Sequence, residues 1–550
     1  MSPIPTAPQR PMGSRFTPLI TAEQGFPAFE TLVADARESI WLAFRIFDPE
    51  TQLRGLDGTH GTWLDLLRAK LSEGVSVRVM LADFDPIGAA DLHEATWRTV
   101  RLLGTLSDSG SIEVLPVRHE ARVGRGMRVG LWILALKELE RQRTQMNAMA
   151  PDDRSRAFSL RPGLWRYLRQ RKQGDIAWRL APLPRLFPAT LHHKLCVVDA
   201  EQAIIGGLDI DERRYDDRQH DRAAEDTWHD VSVSVDGPVA IDIARHIADI
   251  WNGNRLRMAA LRREQSRKKP ASADDLPAPA SQLPMPDAPD VTAEGEGLKV
   301  VRTVSTTRRR ELFRVSPDNV VAEIETELCN AIRAARHSIY IETQFFRSKT
   351  IADTLAQAAV DNRDLNLVLI VPAAPEDVAF AESKGFPDRF GEHLQSVALK
   401  RLTDVFADRV AILSPVRPVA TTSQGRDMLS GSPIIYVHSK VAVFDRELAI
   451  IGSANLNGRS MRWDTEAAIA CSHPAYVEDL YHQLVHHWTI SPDDMQLLGK
   501  CRLAASEWLN WAQQNASHQH DDRRGFLVPY DREAAERMGR NLPSVPEELV

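Results

Sequence analysis

Two stretches of this chain repeat one pattern of apolar and polar positions. Ser39 to Phe47 (SIWLAFRIF) is a β-rich run, followed by a helical pattern over Thr62 to Glu73 and a second strand over Val75 to Leu81. In the second half, Ser338 to Phe346 (SIYIETQFF) precedes a helical pattern around Ile351 to Val360 and a strand over Leu365 to Val371. Each half then adds another helix and a short strand, ending at Ser111 to Val117 and Arg409 to Pro415. Matching element order marks an internal repeat. Strands alternating with helices predict two α/β halves, each a mostly parallel sheet flanked by helices.

The pattern lapses in the middle. Lys268 to about Gly297 is rich in Pro, Ala and Asp with little to bury, which predicts an exposed linker. The expected organisation is an N-terminal half over residues 1–262, a linker over 263–298 and a C-terminal half with a helical tail over 299–550. The opening MSPIPTAPQRPMGSRF lacks the apolar core of a secretory signal, and no run approaches the ~20 apolar residues that span a bilayer. The apolar stretch Val129 to Leu136 reads instead as part of a buried or interfacial helix.

Composition changes the picture in one place. At 550 residues with a net charge of −7, the chain is globular and its overall charge names no partner. Residues 118–185, however, form an insertion found only in the first half, with fourteen arginines and two lysines against six acidic residues. Trp132, Trp165, Tyr167 and Trp178 lie among them. Basic side chains beside aromatics suit an anionic membrane surface, and also nucleic acid; a solvated basic face on a helical hairpin is the plainer alternative. Cys196, Cys329, Cys471 and Cys501 lack zinc-site or disulfide spacing and read as buried, reduced thiols.

The chemistry concentrates in two segments, LHHKLCVVDAEQAIIGGLD and VHSKVAVFDRELAIIGSAN. Both fit H-x-K-x4-D-x6-G-G/S-x-D/N, placing His192, Lys194, Asp199, Gly207 and Asp209 against His438, Lys440, Asp445, Ser453 and Asn455. His and Lys two apart on a strand project to one face, so both can reach a single phosphate. The small residues Gly207 and Ser453 offer close backbone approach and N–H or hydroxyl donors to that phosphate, with Asp209 and Asn455 beside them. One such motif is weak evidence; two with matching intervals are not.

These paired segments resemble the double HKD pattern of the phospholipase D superfamily. The flanks strengthen the likeness: GGLDIDERRYDD, TWHDVSVSVDGP, IYIETQFF and IIGSANLNGRSMRWDTEAAI are each similar to stretches of that family. Arg213 and Thr343 depart from its pattern, at positions where no catalytic group is expected. The resemblance implies an α/β sandwich of two halves with one active site between them. It also implies a covalent phosphohistidine route, with His192 as nucleophile and His438 as acid and base, or the reverse. Lys194 and Lys440 would neutralise the phosphoryl oxygens, and Asp230 and Glu466 occupy the family positions for orienting the histidines. Asp199 and Asp445 are counted with the catalytic set because the motif contains them, although their place reads better as a post holding strand to turn. No metal and no cofactor is assigned.

The resemblance implies a phospholipid substrate, hydrolysed or transferred to another alcohol. The alternatives are a nuclease or other phosphodiesterase, a cardiolipin synthase-like phosphatidyltransferase, or a non-catalytic membrane-binding protein. Flanks shared with lipid enzymes favour lipid over nucleic acid. A monomer is expected, since both motifs lie in one chain. The expected location is cytoplasmic or peripheral to a membrane, with signal-independent export of an antibacterial effector as the alternative.

Overall fold

The computed structural model describes residues 15–56, 61–179, 182–289, 292–307, 317–383, 385–500, 504–543 and 545–550. Its two large sheets repeat one strand order. The first runs Phe16–Ile20, Val231–Asp236, Gln202–Gly206, Lys194–Val198, Ser39–Phe44, Ser76–Ala82, Ile112–Val117. The second runs Leu298–Thr306, Glu466–Cys471, Leu448–Gly452, Lys440–Phe444, Ser338–Thr343, Asn366–Ile370, Val410–Pro415, with Asp318–Ala322 and Leu527–Pro529 added at its edges. The last three strands of the repeated order pair in parallel through helical crossovers. The motif strands and their hairpin partners are antiparallel, because a two-residue turn returns the chain directly.

Period-two alternation decides which layer each strand residue joins. Ile40, Leu42, Cys196 and Val198 face the helices Thr21–Ala34, Trp63–Ser72 and Ala90–Gly104 in an outer core. Ile339, Ile341, Ala442 and Phe444 do the same against the helices of the second half. The opposite faces, with Trp41, Ala43, Leu195, Val197, Tyr340, Val441 and Val443, share a single central core. The two halves are thus fused through one apolar layer, each large side chain in it contributing about 1.5–3 kcal/mol.

The helix Pro238–Ser266 threads this layer. It starts with Pro after Gly237, whose φ of 75° admits no ordinary side chain comfortably, and buries Val239, Ile243, Ile247 and Trp251. The helix continues four residues past the predicted boundary at 262. The Pro-rich segment after it is not a free linker but a strap. Leu283 is buried in the central core, Asn252 exchanges two hydrogen bonds with Leu283 at 2.9 Å, and Trp251 Nε1 donates to Ser281 O at 2.9 Å. A few apolar side chains, Ala273, Leu276, Ala280 and Leu283, together with polar groups on the helix that receive the extended backbone, hold it.

The basic insertion folds as helices Arg125–Gly130, Trp132–Ala148 and Pro151–Ser159 and a small ribbon. Trp165 and Tyr167, expected at an interface, are buried in its own core with Leu139, Phe158 and Ile176, since a unit of this size must spend its aromatics on itself. What it exposes is Val129, Trp132, Ile133 and Leu134. Cys196, Cys329 and Cys471 are buried and unbridged; Cys501 lies outside the described residues. No helix among the described residues is long and apolar enough to cross a membrane.

Candidate active site

Each motif is a hairpin. Asp199 and Ala200 (φ 53° and 54°) form the turn of the first, Asp445 and Arg446 (51° and 58°) that of the second. Consecutive left-handed residues are what a two-residue turn between twisted strands requires, and Asp tolerates that conformation better than most. Its carboxylate then takes on a second task. Asp199 accepts the backbone N–H of Arg37, Glu38 and Ser39 at 2.8–2.9 Å. Asp445 accepts those of Arg336, His337 and Ser338 at 2.6–2.8 Å. Both aspartates sit at the end of the strand remote from the imidazoles, so they tie turn to neighbouring strand and leave the catalytic set.

The other ends of the two hairpins meet at the seam between the halves. His192 N–H donates to Thr465 O at 2.9 Å and His438 N–H to His229 O at 2.8 Å, so each histidine is stitched by its backbone to the opposite half. The side chains cross in the same way. His192 Nδ1 lies 3.0 Å from the Glu466 carboxylate and 3.1 Å from Ser453 O; His438 Nδ1 lies 2.7 Å from Asp230 Oδ2. Each imidazole therefore has its orienting carboxylate from the other half, with Nε2 left for chemistry. Both histidines are nearly inaccessible, at 6% and 3% exposure.

Lys194 Nζ donates to His192 O at 3.1 Å and lies 3.6 Å from Asp209 Oδ2, while Lys440 Nζ donates to His438 O. Burial, reinforced by Lys194, Arg45, Lys440 and Arg459, holds His192 well below the usual imidazole range. Burial, then Lys440, Lys194, Arg214 and His192, does the same to His438. Burial raises Glu466 well above the carboxylate range and lifts Asp230 to about 7; it lowers Lys440 to about 7. Every one of these shifts disfavours the charged form, as burial of an ionisable group does.

Gly207 and Asp209 do other work than binding phosphate. The Gly207 N–H is spent on Val231 O at 3.1 Å and the Ser453 N–H on Ala467 O at 3.0 Å, both within the sheet. Gly207 is small because a Cβ there would stand 2.0 Å from Asp230 Oδ1. Ser453 Oγ donates to Glu466. Asp209 accepts the Ile46 N–H at 2.9 Å and stands beside Lys194; its own charge would repel a phosphate, so it positions the lysine. Asn455 is buried with Oδ1 unpaired, the one member of this group with a polar atom to spare.

Several site groups escaped sequence reasoning. Arg45 is buried with Nε unpaired, at the position where the repeat has Gln344. Arg459 donates to Asp464 Oδ2 at 2.9 Å, and Asp464 Oδ1 accepts the Thr190 N–H at 2.7 Å, across the seam. Trp228 stacks between the Arg214 guanidinium, 3.6 Å from its ring centre, and the His438 ring at 4.6 Å. Aligning the two repeats position by position would have flagged Arg45, which stands against Gln344, but not Arg459, which stands against Arg213. The departure of Arg213 from the family pattern already sets it apart from Arg214, and Arg213 turns to Glu376 instead. A cleft of about 210 Å³, lined by Arg45, Phe47, Phe84, Leu92 and Leu102 among others, adjoins the site at Arg45.

The chain is similar to known proteins over both halves. A family model described as "Cardiolipin synthase, PLD-like domain" matches residues 328–488, and one described as "Phospholipase D" matches residues 215–361. Phospholipase D beta 2 of Arabidopsis thaliana is 24% identical over 469 aligned residues, covering 64% of this chain and 50% of that protein. Phospholipase D1 of Saccharomyces cerevisiae is 25% identical over 350, covering 51% and 20%. The chain thus spans half or less of the length of these two relatives. A phosphatidylserine synthase of Haemophilus influenzae Rd KW20 superposes over 88% of this chain and 92% of its own with a TM-score of 0.46 and 12% identity.

Proposed function

The chain belongs to the phospholipase D superfamily, and from its site we propose that it is a phospholipase D-type phosphodiesterase acting on glycerophospholipids. The observation that carries this reading is the crossed pair of histidine–carboxylate couples, His192 with Glu466 and His438 with Asp230, each assembled from both halves.

In the proposed reaction the phosphodiester enters among Lys194, Lys440, Arg45 and Asn455. Burial, and then the surrounding cations, keeps both imidazoles neutral; the negative charge of the diester offsets the cations, so one imidazole takes up a proton on binding. His192 Nε2 attacks phosphorus; the P–O bond to the head-group alcohol breaks, and His438 gives that oxygen its Nε2 proton. Neutral His438 next removes a proton from water or another alcohol, whose oxygen attacks phosphorus and breaks the P–N bond. His192 is thereby restored, and His438 is protonated for the next cycle. The assignment of roles is supported by the shorter carboxylate contact of His438, 2.7 against 3.0 Å, which favours its imidazolium. Burial, and then nearby cations, keeps both imidazoles neutral before substrate binds, so either is available as the nucleophile.

Lipid is favoured over nucleic acid by an exposed surface of the basic insertion. Val129, Trp132, Ile133 and Leu134 are exposed together, next to Arg122, Arg125 and Arg128; burial, and then neighbouring arginines, lowers the basicity of Arg122 and Arg128. Apolar side chains amid cations match an anionic bilayer, whereas a phosphate backbone would need only the cations. Peripheral attachment of a monomer to such a membrane follows from this reading.

The test offers the protein mixed-lipid vesicles and DNA, each with and without ethanol. Phosphatidic acid, replaced in part by phosphatidylethanol when ethanol is present, supports the reading. Degraded DNA beside intact lipid overturns it in favour of a nuclease. His192→Ala and His438→Ala should each abolish turnover; near-normal activity in either refutes the site.

A further inference from the structure

The seam also encloses three imidazoles that the proposed chemistry leaves unused. His220 and His229 come from the first half, His487 from the end of helix Pro474–Trp488 in the second. All three are buried, and one nitrogen from each lies within 4.8 Å of the others. Among the described residues no other group of three or more His, Cys, Asp or Glu side chains is arranged to hold a metal ion.

Carboxylates have already sorted the ring nitrogens. His220 Nδ1 lies 2.6 Å from Asp216 Oδ2, and its Nε2 lies 3.0 Å from His487 Nε2. His229 Nε2 lies 2.7 Å from Glu342 Oε2. Glu342 also accepts from Tyr340 OH at 2.5 Å, Trp488 Nε1 at 2.7 Å and Ser439 Oγ at 2.8 Å, which makes it a firm acceptor. A carboxylate on one imidazole nitrogen fixes the proton there and turns a lone pair outward at the other. His220 Nε2 and His229 Nδ1 therefore present lone pairs, and His229 Nδ1 is buried with no hydrogen-bond partner. A proton from His487 can satisfy only one of them.

We propose that His220, His229 and His487 bind one zinc ion through His220 Nε2, His229 Nδ1 and His487 Nε2. The donor set is that of a zinc site: three imidazoles, two of them with the remote nitrogen held by a carboxylate. Two ligands of tetrahedral zinc stand about 3.3 Å apart, close to the 3.0 Å between His220 and His487. The buried pair His193 and His246, with Nε2 atoms 2.9 Å apart, shows the contrasting case of two imidazoles sharing a proton with no third beside them. The ion is structural. It ties helix Pro474–Trp488 to the segment that carries Asp230, and His229, a ligand, is the residue whose carbonyl accepts the His438 N–H. The inference stands apart from the phosphodiesterase reading.

The test expresses the full chain in zinc-supplemented medium, purifies it without chelator and measures metal by elemental analysis. Wild type and the double variant His192→Ala/His438→Ala should each carry about one zinc per chain, and His487→Ala far less. Chelation should lower the thermal midpoint of wild type, zinc should restore it, and His487→Ala should respond to neither. Wild type without stoichiometric zinc overturns the proposal. So does loss of zinc in the double variant, which would place the ion in the active site. Should His487→Ala fail to fold, cobalt-loaded wild type decides: visible bands of a tetrahedral, nitrogen-ligated ion support the site, and their absence refutes it.

Discussion

Asp230→Asn separates catalysis from folding at a single atom. The side chain is 1% exposed, and its Oδ2 stands 2.7 Å from His438 Nδ1 while Oδ1 accepts the Val231 N–H at 2.9 Å. Asparagine keeps the shape but has a single oxygen; with that oxygen on the Val231 N–H, its amide N–H faces His438 Nδ1 as a donor, so the charge is lost and the imidazole is held in the other tautomer. Without that charge, the imidazolium that His438 must form loses a buried charge-assisted hydrogen bond worth about 2–4 kcal/mol, which lowers kcat roughly 30- to 900-fold. Folding should move the other way. Burial holds the Asp230 carboxyl up at about 7 in the fold, against about 3.9 in an unfolded chain, so the native state loses stability as pH rises between those values. Asparagine does not titrate, and the variant should be at least as stable as wild type at pH 7, with a flatter dependence on pH between 4 and 7. The assays are turnover of bis-p-nitrophenyl phosphate and thermal melting across that pH range. A variant within about threefold of wild-type kcat, or one that melts well below wild type at pH 7, refutes the reasoning.

Three further outcomes are expected. Asp199→Ala removes an acceptor shared by three backbone N–H groups, and should cost about 2–3 kcal/mol in denaturant titration while leaving kcat per folded molecule unchanged. Lys440, lowered to about 7 by burial, loses its charge as pH rises through that value, so kcat/KM for an anionic diester should fall on the alkaline side from near pH 7; a profile flat to high pH contradicts this. Ile133→Glu in the exposed patch forfeits about 1.5–3 kcal/mol of apolar insertion, lowering affinity for anionic vesicles roughly 10- to 100-fold in co-sedimentation, with soluble-diester turnover unaffected.

The repeat was legible because hydrophobic alternation is local. SIWLAFRIF and SIYIETQFF each divide their apolar residues between two cores, and the order of elements around them follows in both halves. The motif intervals were legible for the same reason: His192 to Asp199 is one arm of a hairpin, and its length is set by the pleat. What pairs across the seam was not, since contacts such as Thr190 with Asp464, or Arg214 over Trp228, depend on how two sheets dock. Gly207 shows the limit best. Its smallness was visible and its cause was not, because the carboxylate that needs the space belongs to a strand further along the chain. Trp165, Tyr167 and Leu283 failed for a related reason: composition marks a segment as basic or Pro-rich without saying which few side chains it buries.

The exchange of carboxylates between the halves makes docking of the sheets a precondition of turnover. Neither fragment alone owns a complete proton-relay couple, so a severed chain regains activity only upon reassociation. Gentle loosening of the junction should likewise silence the enzyme while its secondary structure persists, making loss of function an earlier event on heating than loss of helix.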